Sequence, residues 1–286
     1  MALYGVGSMG GAILDGLLAA RDEDAPEVLV VVRRAEQATE LGQRPGVRAV
    51  SAEQAAATAD IHLVAVKPYD VASLLESVHD SLRPGSVVVS LALGITLAEL
   101  QKALPDGVAA VRGMPSTPAR VGQGMTVLSS GESVAEDQVA AIQEALAPTG
   151  RTVVVPESQQ DIATALSGSA PAYFFLVVEA LVDAGVAGGL PRGVASDLAV
   201  QAALGAGAML RETGEEAVIL RSQVTSPGRL EVLRTAPTLI VDAAHNPDGV
   251  RATARAVQEA FGFTRLSLVV GILQEKDAPA MLAALY

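Results

Sequence analysis

The chain has no cysteine and only three histidines in 286 residues. Without thiols there are no disulfides, no thiolate nucleophile, no iron–sulfur cluster and no cysteine-ligated zinc, and the composition suits a reducing compartment. His62, His79 and His245 fall at no metal-ligand spacing, so they read as strand, surface and loop residues and no metal is expected. Positive charge is also scarce: 20 Lys and Arg against 32 Asp and Glu leave a formal charge of −12. A face that neutralises many phosphates of DNA or RNA is thereby excluded. No basic stretch followed by an apolar one opens the chain, and its most apolar run, Ala172 to Val178, is cut by Glu179, short of what a bilayer span needs. A soluble, cytoplasmic protein with neither a nucleic-acid nor a membrane partner is expected.

What is present is apolar material enough for two cores, half of all residues. The first half alternates short apolar runs with amphipathic windows, the pattern of a parallel sheet covered by helices. Candidate strands are Leu3-Tyr4, Val28 to Val32, Ile61 to Val66, Val87 to Leu91, Ala109 to Val111, Met125 to Leu128 and Thr152 to Val155. Helices fit Gly11 to Ala20, Tyr69 to Ser81, Leu97 to Leu104 and Ala135 to Leu146. Only four residues precede Gly5, so the first strand reads as short and the N-terminus as clipped or mis-started.

Beyond residue 156 the character changes to long helices. Phe174, Val177, Val178 and Leu181 share one helical face, Gly185 reads as that helix's stop, and Pro191 precedes an alanine-rich helix from Arg192 to Arg211. Helices apolar on most sides suit a subunit interface. From residue 229 the pattern returns to strand, loop, helix, twice over. The tail holds six basic and six acidic residues, which leaves the whole of the −12 before it. The expected organisation is a dinucleotide-binding domain over 1–156, an incomplete helical dimerisation and substrate domain over 157–228, and a foreign-looking βαβα tail over 229–286.

Gly5, Gly7 and Gly10 form G-x-G-x-x-G between an apolar run and a helix start. In that setting the loop from Gly5 through Val6, Gly7, Ser8 and Met9 to Gly10 predicts a pyrophosphate on a helix N-terminus, where backbone N–H groups and the dipole favour negative charge. Arg33 and Arg34 follow the second strand at the place where an NAD site carries an acidic residue. They suit a 2′-phosphate, hence NADP(H) before NAD(H); two solvated surface arginines are the other reading. "AVKP", Ala65, Val66, Lys67 and Pro68, ends a strand at the ligand-binding edge of such a sheet, with Lys67 either a phosphate or carboxylate contact or an exposed loop lysine.

Two further stretches, "VRGMPSTPARVGQGMTVL" (111–128) and "VPESQQDIATALSGSAPAYFF" onward (155–201), stand in order with the Gly-rich loop, "AVKP", "LALGIT" and "VTSPG". Over residues 1–228 the chain resembles pyrroline-5-carboxylate reductase, the last enzyme of proline biosynthesis. The resemblance implies a Rossmann-type doubly wound α/β domain, then a helical domain that pairs with its twin, and reduction of a cyclic imino acid by NADPH or NADH. Carried over by position, Leu91, Ala92 and Leu93 join the dinucleotide contacts and Met114 and Pro115 lie near the nicotinamide. Ser167, Gly168, Ser169, Thr225, Ser226 and Gly228 lie toward the substrate. No residue is assigned as a catalytic acid, base or nucleophile. "SGSAPAY" also reads simply as a tight helix entry with Ser169 as cap and Pro171 in the first turn.

The pattern then breaks. In the family "SPG" continues with a second glycine and two threonines that contact substrate; here Arg229, Leu230 and Glu231 follow. The tail, with "GRLEVLRTAPTLIVDAAHNPDG" and "FGFTRLSLVVG", resembles instead part of the C-terminal domain of folylpolyglutamate synthase. No G-x-x-x-x-G-K-[ST] accompanies it, so His245 and Asn246 read as ordinary loop residues. Two strands with two helices cannot close a core alone, so the tail is expected to pack poorly or to dock on apolar helices. The reading is therefore a homo-oligomeric reductase of an imino-acid substrate, weakened by its altered loop and missing closing helices. The alternatives are a catalytically dead NADP-binding module and, more remotely, a synthase-like fragment.

Overall fold

The computed structural model describes residues 1–22, 25, 27–224, 231–235, 238–241, 247–260 and 278–283. Its first half is an eight-stranded sheet built from Ala2–Tyr4 (β1), Val28–Val31 (β2), Val47–Ala49 (β3), Ile61–Val64 (β4), Val87–Ser90 (β5), Ala109–Pro115 (β6), Gly124–Ser130 (β7) and Gly150–Val154 (β8). The spatial order is β3-β2-β1-β4-β5-β6-β7-β8, the doubly wound arrangement whose strand order reverses beside β1. All pairings are parallel except β6 with β7. The sheet is the doubly wound parallel one expected, with that one reversal, because only a short turn, Thr117–Val121, lies between the two strands, too little chain for a parallel crossover.

Alternation along each strand sorts the core into two layers. Ala2, Tyr4, Val64, Val88 and Ala110 face one way, against Ala55 and Ala56 of the helix Ala52–Thr58 (α3), Val71 and Leu75 of Pro68–Val78 (α4) and Leu100 of Leu97–Ala103 (α5). Leu3, Val30, Leu63, Val87 and Val111 face the other, against Ile13 and Leu14 of Ser8–Ala19 (α1), Leu41 of Ala35–Gly42 (α2) and Ile142 and Leu146 of Glu136–Leu146 (α6). Three elements were not read from the sequence: β3, α2 and α3. Each is short, and β3 is a polar-flanked edge strand in which only Val47 is fully buried, so little periodicity marks it. Strand β1 is three residues long and pairs on both sides, with β2 and β4.

The long helical segment begins with Gln160–Thr164 (α7), widens into a π-helical turn over Ala165–Ser169 and continues as Ala170–Ala187 (α8). Ser169 is therefore inside a continuous helix, not a cap. Pro171 explains the widening: it offers no N–H to the carbonyl of Ser167, and in a regular helix its ring would strike that carbonyl. Gly185 is likewise not a stop. A Cβ there would lie 2.9 Å from the Cβ of Ala195, so it lets α8 approach Arg192–Thr213 (α9). The turn comes at Gly189, with φ of +95°.

The chain divides into two compact units, 1–183 and 184–286. The second contains α9, Ala217–Val224 (α10), Glu231–Thr235 (β9), Thr238–Val241 (β10), Pro247–Ala260 (α11) and Ala278–Ala283 (α12). β9, a strand ahead of the expected strand and helix of the tail, pairs antiparallel with β10. Only residues 236 and 237 separate the two, and so short a link joins antiparallel neighbours. The second expected strand of the tail, in "FGFTRLSLVVG", the residues His245 and Asn246, and the packing of the tail around them lie outside the described residues.

Candidate active site

Gly5 ends β1 with φ of +91°, a conformation that side chains rarely adopt. Gly10 lies so close to the loop that a Cβ there would fall 2.0 Å from the Gly5 carbonyl oxygen, whereas a Cβ on Gly7 would meet nothing within 4 Å. The first glycine turns the chain, the third seats helix on strand, and the second leaves open space in front of α1. That helix has no side-chain cap and no acidic residue in its first turn, so its N-terminal amides are free to receive an anion.

In front of the loop runs a cleft of about 900 Å³. It is lined by Gly5, Val6, Gly7, Ser8 and Met9, by Arg33 and Arg34 after β2, by Ala65, Val66, Lys67 and Pro68 after β4, by Leu91, Ala92 and Leu93 after β5, and by Met114 and Pro115 at the end of β6. Gly10 stands behind this wall rather than in it. A second cavity of about 340 Å³ is lined by Leu93, Met114, Asp161, Thr164, Ala165, Gly168 and Ser169. Leu93 and Met114 thus belong to both, and the π-turn supplies the floor of the smaller cavity. Ser167 faces elsewhere, its hydroxyl donating to the Ala163 carbonyl at 2.9 Å. Thr225, Ser226 and Gly228 lie outside the described residues.

The structure adds residues that the sequence reading passed over. Gln37 donates from Nε2 to the Val6 carbonyl at 2.8 Å and so pins the loop. Asp70, Ser73, Leu74 and Ser77 line the cleft from α4, and Arg120 from the turn after β6; their spacing of three and four was the available signal. Arg112, 8% exposed, holds the π-turned helix to the sheet. Its Nη2 donates to Asp161 at 3.0 Å, and its Nη1 lies 3.6 Å from Glu157. Glu157 also accepts from the Leu97 amide at 2.6 Å. Fully buried Gln160 donates to the Val127 carbonyl at 3.1 Å and lies 2.5 Å from the Ser129 hydroxyl. Among the described residues no group of three candidate metal ligands occurs.

An uncapped helix N-terminus, an open glycine and cations at the far end fit a phosphorylated dinucleotide, so the residues present suit NADP(H). Comparison with known proteins agrees. Residues 157–230 match the family model for pyrroline-5-carboxylate reductase dimerisation, and 1–94 match that for NADP oxidoreductase, coenzyme F420-dependent. Residues 228–285 match the Mur ligase, glutamate ligase domain. The chain is 40% identical over 231 residues to the pyrroline-5-carboxylate reductase of Corynebacterium melassecola, covering 79% of this chain and 85% of that one. With that of Mycobacterium tuberculosis it shares 39% over 271 residues, 92% of this chain and 90% of the relative. The structure of a pyrroline-5-carboxylate reductase from Coxiella burnetii superposes with a TM-score of 0.74 at 34% identity, over 79% of this chain and 84% of that one. One from Plasmodium falciparum, with NADP bound, superposes with a TM-score of 0.67 at 27% identity, over the same 79% here and 84% there.

Proposed function

Because the chain belongs to the pyrroline-5-carboxylate reductase family, we propose that it reduces 1-pyrroline-5-carboxylate to L-proline with NADP(H), at a rate lowered by its altered loop. The observation that carries this reading is the shared wall: Leu93 and Met114 separate and join a dinucleotide-sized cleft and a cavity fit for a small ring acid. NADPH, when bound, supplies the hydride. The protein's own task is placement. A protonated imine is already a strong electrophile, so alignment and exclusion of water suffice without a metal or a protein nucleophile. The α1 amides and Gly7 receive the pyrophosphate, Arg33 and Arg34 the 2′-phosphate, and Gly168 with Ser169 the substrate end.

Residues 1–156 then serve the coenzyme, 157–228 the substrate and the twin subunit, and 229–286 replace the family's closing helices. A cytoplasmic location suits a cysteine-free chain. Arg229, Leu230 and Glu231 stand where the family carries a second glycine and two threonines, so the family's hydroxyl donor is missing from the sequence there, which is the reason to expect slow turnover. Coenzyme oxidation and proline formation, followed with NADPH and with NADH, test the reading. Weak activity is expected, greater with NADPH. The combined change Arg229→Gly, Leu230→Thr, Glu231→Thr is expected to raise kcat/KM about tenfold or more. A folded protein that binds coenzyme yet forms no proline before or after that change is a dead dinucleotide-binding module, and the reductase reading fails.

A further inference from the structure

Among the described residues, five charged ones line the large cleft: Arg33, Arg34, Lys67, Arg120 and Asp70. Four match the charge of a phosphorylated dinucleotide and one opposes it. Asp70 is the third residue of α4, its side chain 22% exposed, and it faces Arg33 across the cleft rim with Nη1 3.4 Å from Oδ1 and Nη2 3.2 Å from Oδ2. Asp70 Oδ2 is shielded from solvent and accepts no hydrogen bond, so its 3.2 Å approach to Arg33 is that of an ion pair. The fork that grips a phosphate in bidentate fashion is the same fork that Arg33 here directs at a carboxylate. Arg33 is otherwise 83% exposed, and among the described residues no second acid pairs with it. Arg34 is turned toward Gln37, with Nη2 3.4 Å from Oε1.

From this we infer that Asp70 is a coenzyme-selectivity residue: it holds Arg33 in an ion pair for which a 2′-phosphate must compete, while a ribose with a free 2′-hydroxyl leaves the pair intact. The inference rests on the coenzyme reading above and deepens it. A phosphate of nearly two negative charges arriving beside Asp70 meets repulsion as well as a guanidinium already engaged, so the acid narrows the advantage of NADP(H) over NAD(H) that the two arginines create.

The test is calorimetric binding of 2′,5′-ADP and of 5′-AMP to the full chain, which isolates this end of the cleft from the imine chemistry. Asp70→Asn is expected to tighten 2′,5′-ADP about threefold to fivefold and to change 5′-AMP less than about twofold, the range of one exposed ion pair. In an Arg33→Ala background the same substitution is expected to give no gain. Asp70→Ser, which also lacks the charge and keeps a first-turn hydroxyl, stands in if the asparagine variant melts early. Tightening confined to 2′,5′-ADP and dependent on Arg33 supports the inference. Unchanged or weaker 2′,5′-ADP binding, or an equal gain without Arg33, overturns it while leaving the coenzyme site standing. Wild-type protein that binds neither ligand removes the coenzyme reading and this inference with it.

Discussion

His62 lies in the centre of β4, 1% exposed, with its Nδ1 3.2 Å from the Tyr4 hydroxyl and its Nε2 without a partner. Burial, helped by the positive N-terminus and Arg83, lowers its pKa from 6.5 to about 4; burial also pushes the Tyr4 phenol upward. In the unfolded chain the imidazole titrates near 6.5, so between the two values the unfolded state binds a proton that the folded state refuses. The associated stability is present above pH 6.5 and is lost as the pH falls toward 4, by at most about 3 kcal/mol. Urea unfolding midpoints taken from pH 7.5 to 4.5 should show this slope, and His62→Asn should flatten it. The glycine loop was legible because its demands are local: φ at Gly5 and contact at Gly10 follow from spacing alone. Asp70 was not, because its meaning depends on Arg33, 37 residues away in sequence.

Among the elements, the least regular one matters most to the site. A regular helix through Pro171 would leave the Ser167 carbonyl without its partner, and the π-turn over Ala165–Ser169 that relieves this also turns Gly168 and Ser169 to the small cavity. "SGSAPAY" marked the place but suggested a helix start, since a proline after two serines matches a first turn as well as a bulge. The clamp from β6 to this helix should be unequal at its two ends. Arg112→Ala removes a buried guanidinium, its stem packing and its charged hydrogen bond, so a cost of about 2–3 kcal/mol in urea unfolding is expected. Asp161 is 90% exposed, and Asp161→Ala should cost less than about 1 kcal/mol. Equal losses would show that the ion pair, not the burial of the guanidinium, anchors the helix.

Across the chain, two apolar helical stretches stand open. Tyr173, Phe174, Phe175, Leu176 and Val177 are each more than half exposed, and five consecutive residues go all the way round a helix. By length and composition 157–187 and 192–213 would each cross a membrane, yet Glu179 and Asp183 interrupt the first and both lie in the region matching the family's dimerisation domain. A partner copy is expected to cover them, as that match implies. Sedimentation should give a dimer or larger species, and Phe174→Asp with Phe175→Asp should shift it toward monomer. An unchanged mass would place the interface elsewhere. Alternation of apolar runs, the glycine spacing and the cations after β2 were enough to specify a doubly wound sheet, its coenzyme edge and a paired helical half, because each is written in contacts between near neighbours. The antiparallel turn at β6 and β7, the widened helix at Pro171, the buried Arg112 and the Arg33–Asp70 pair came only from the folded chain. Each joins groups that are distant in sequence, and no periodicity records which distant group a side chain will meet.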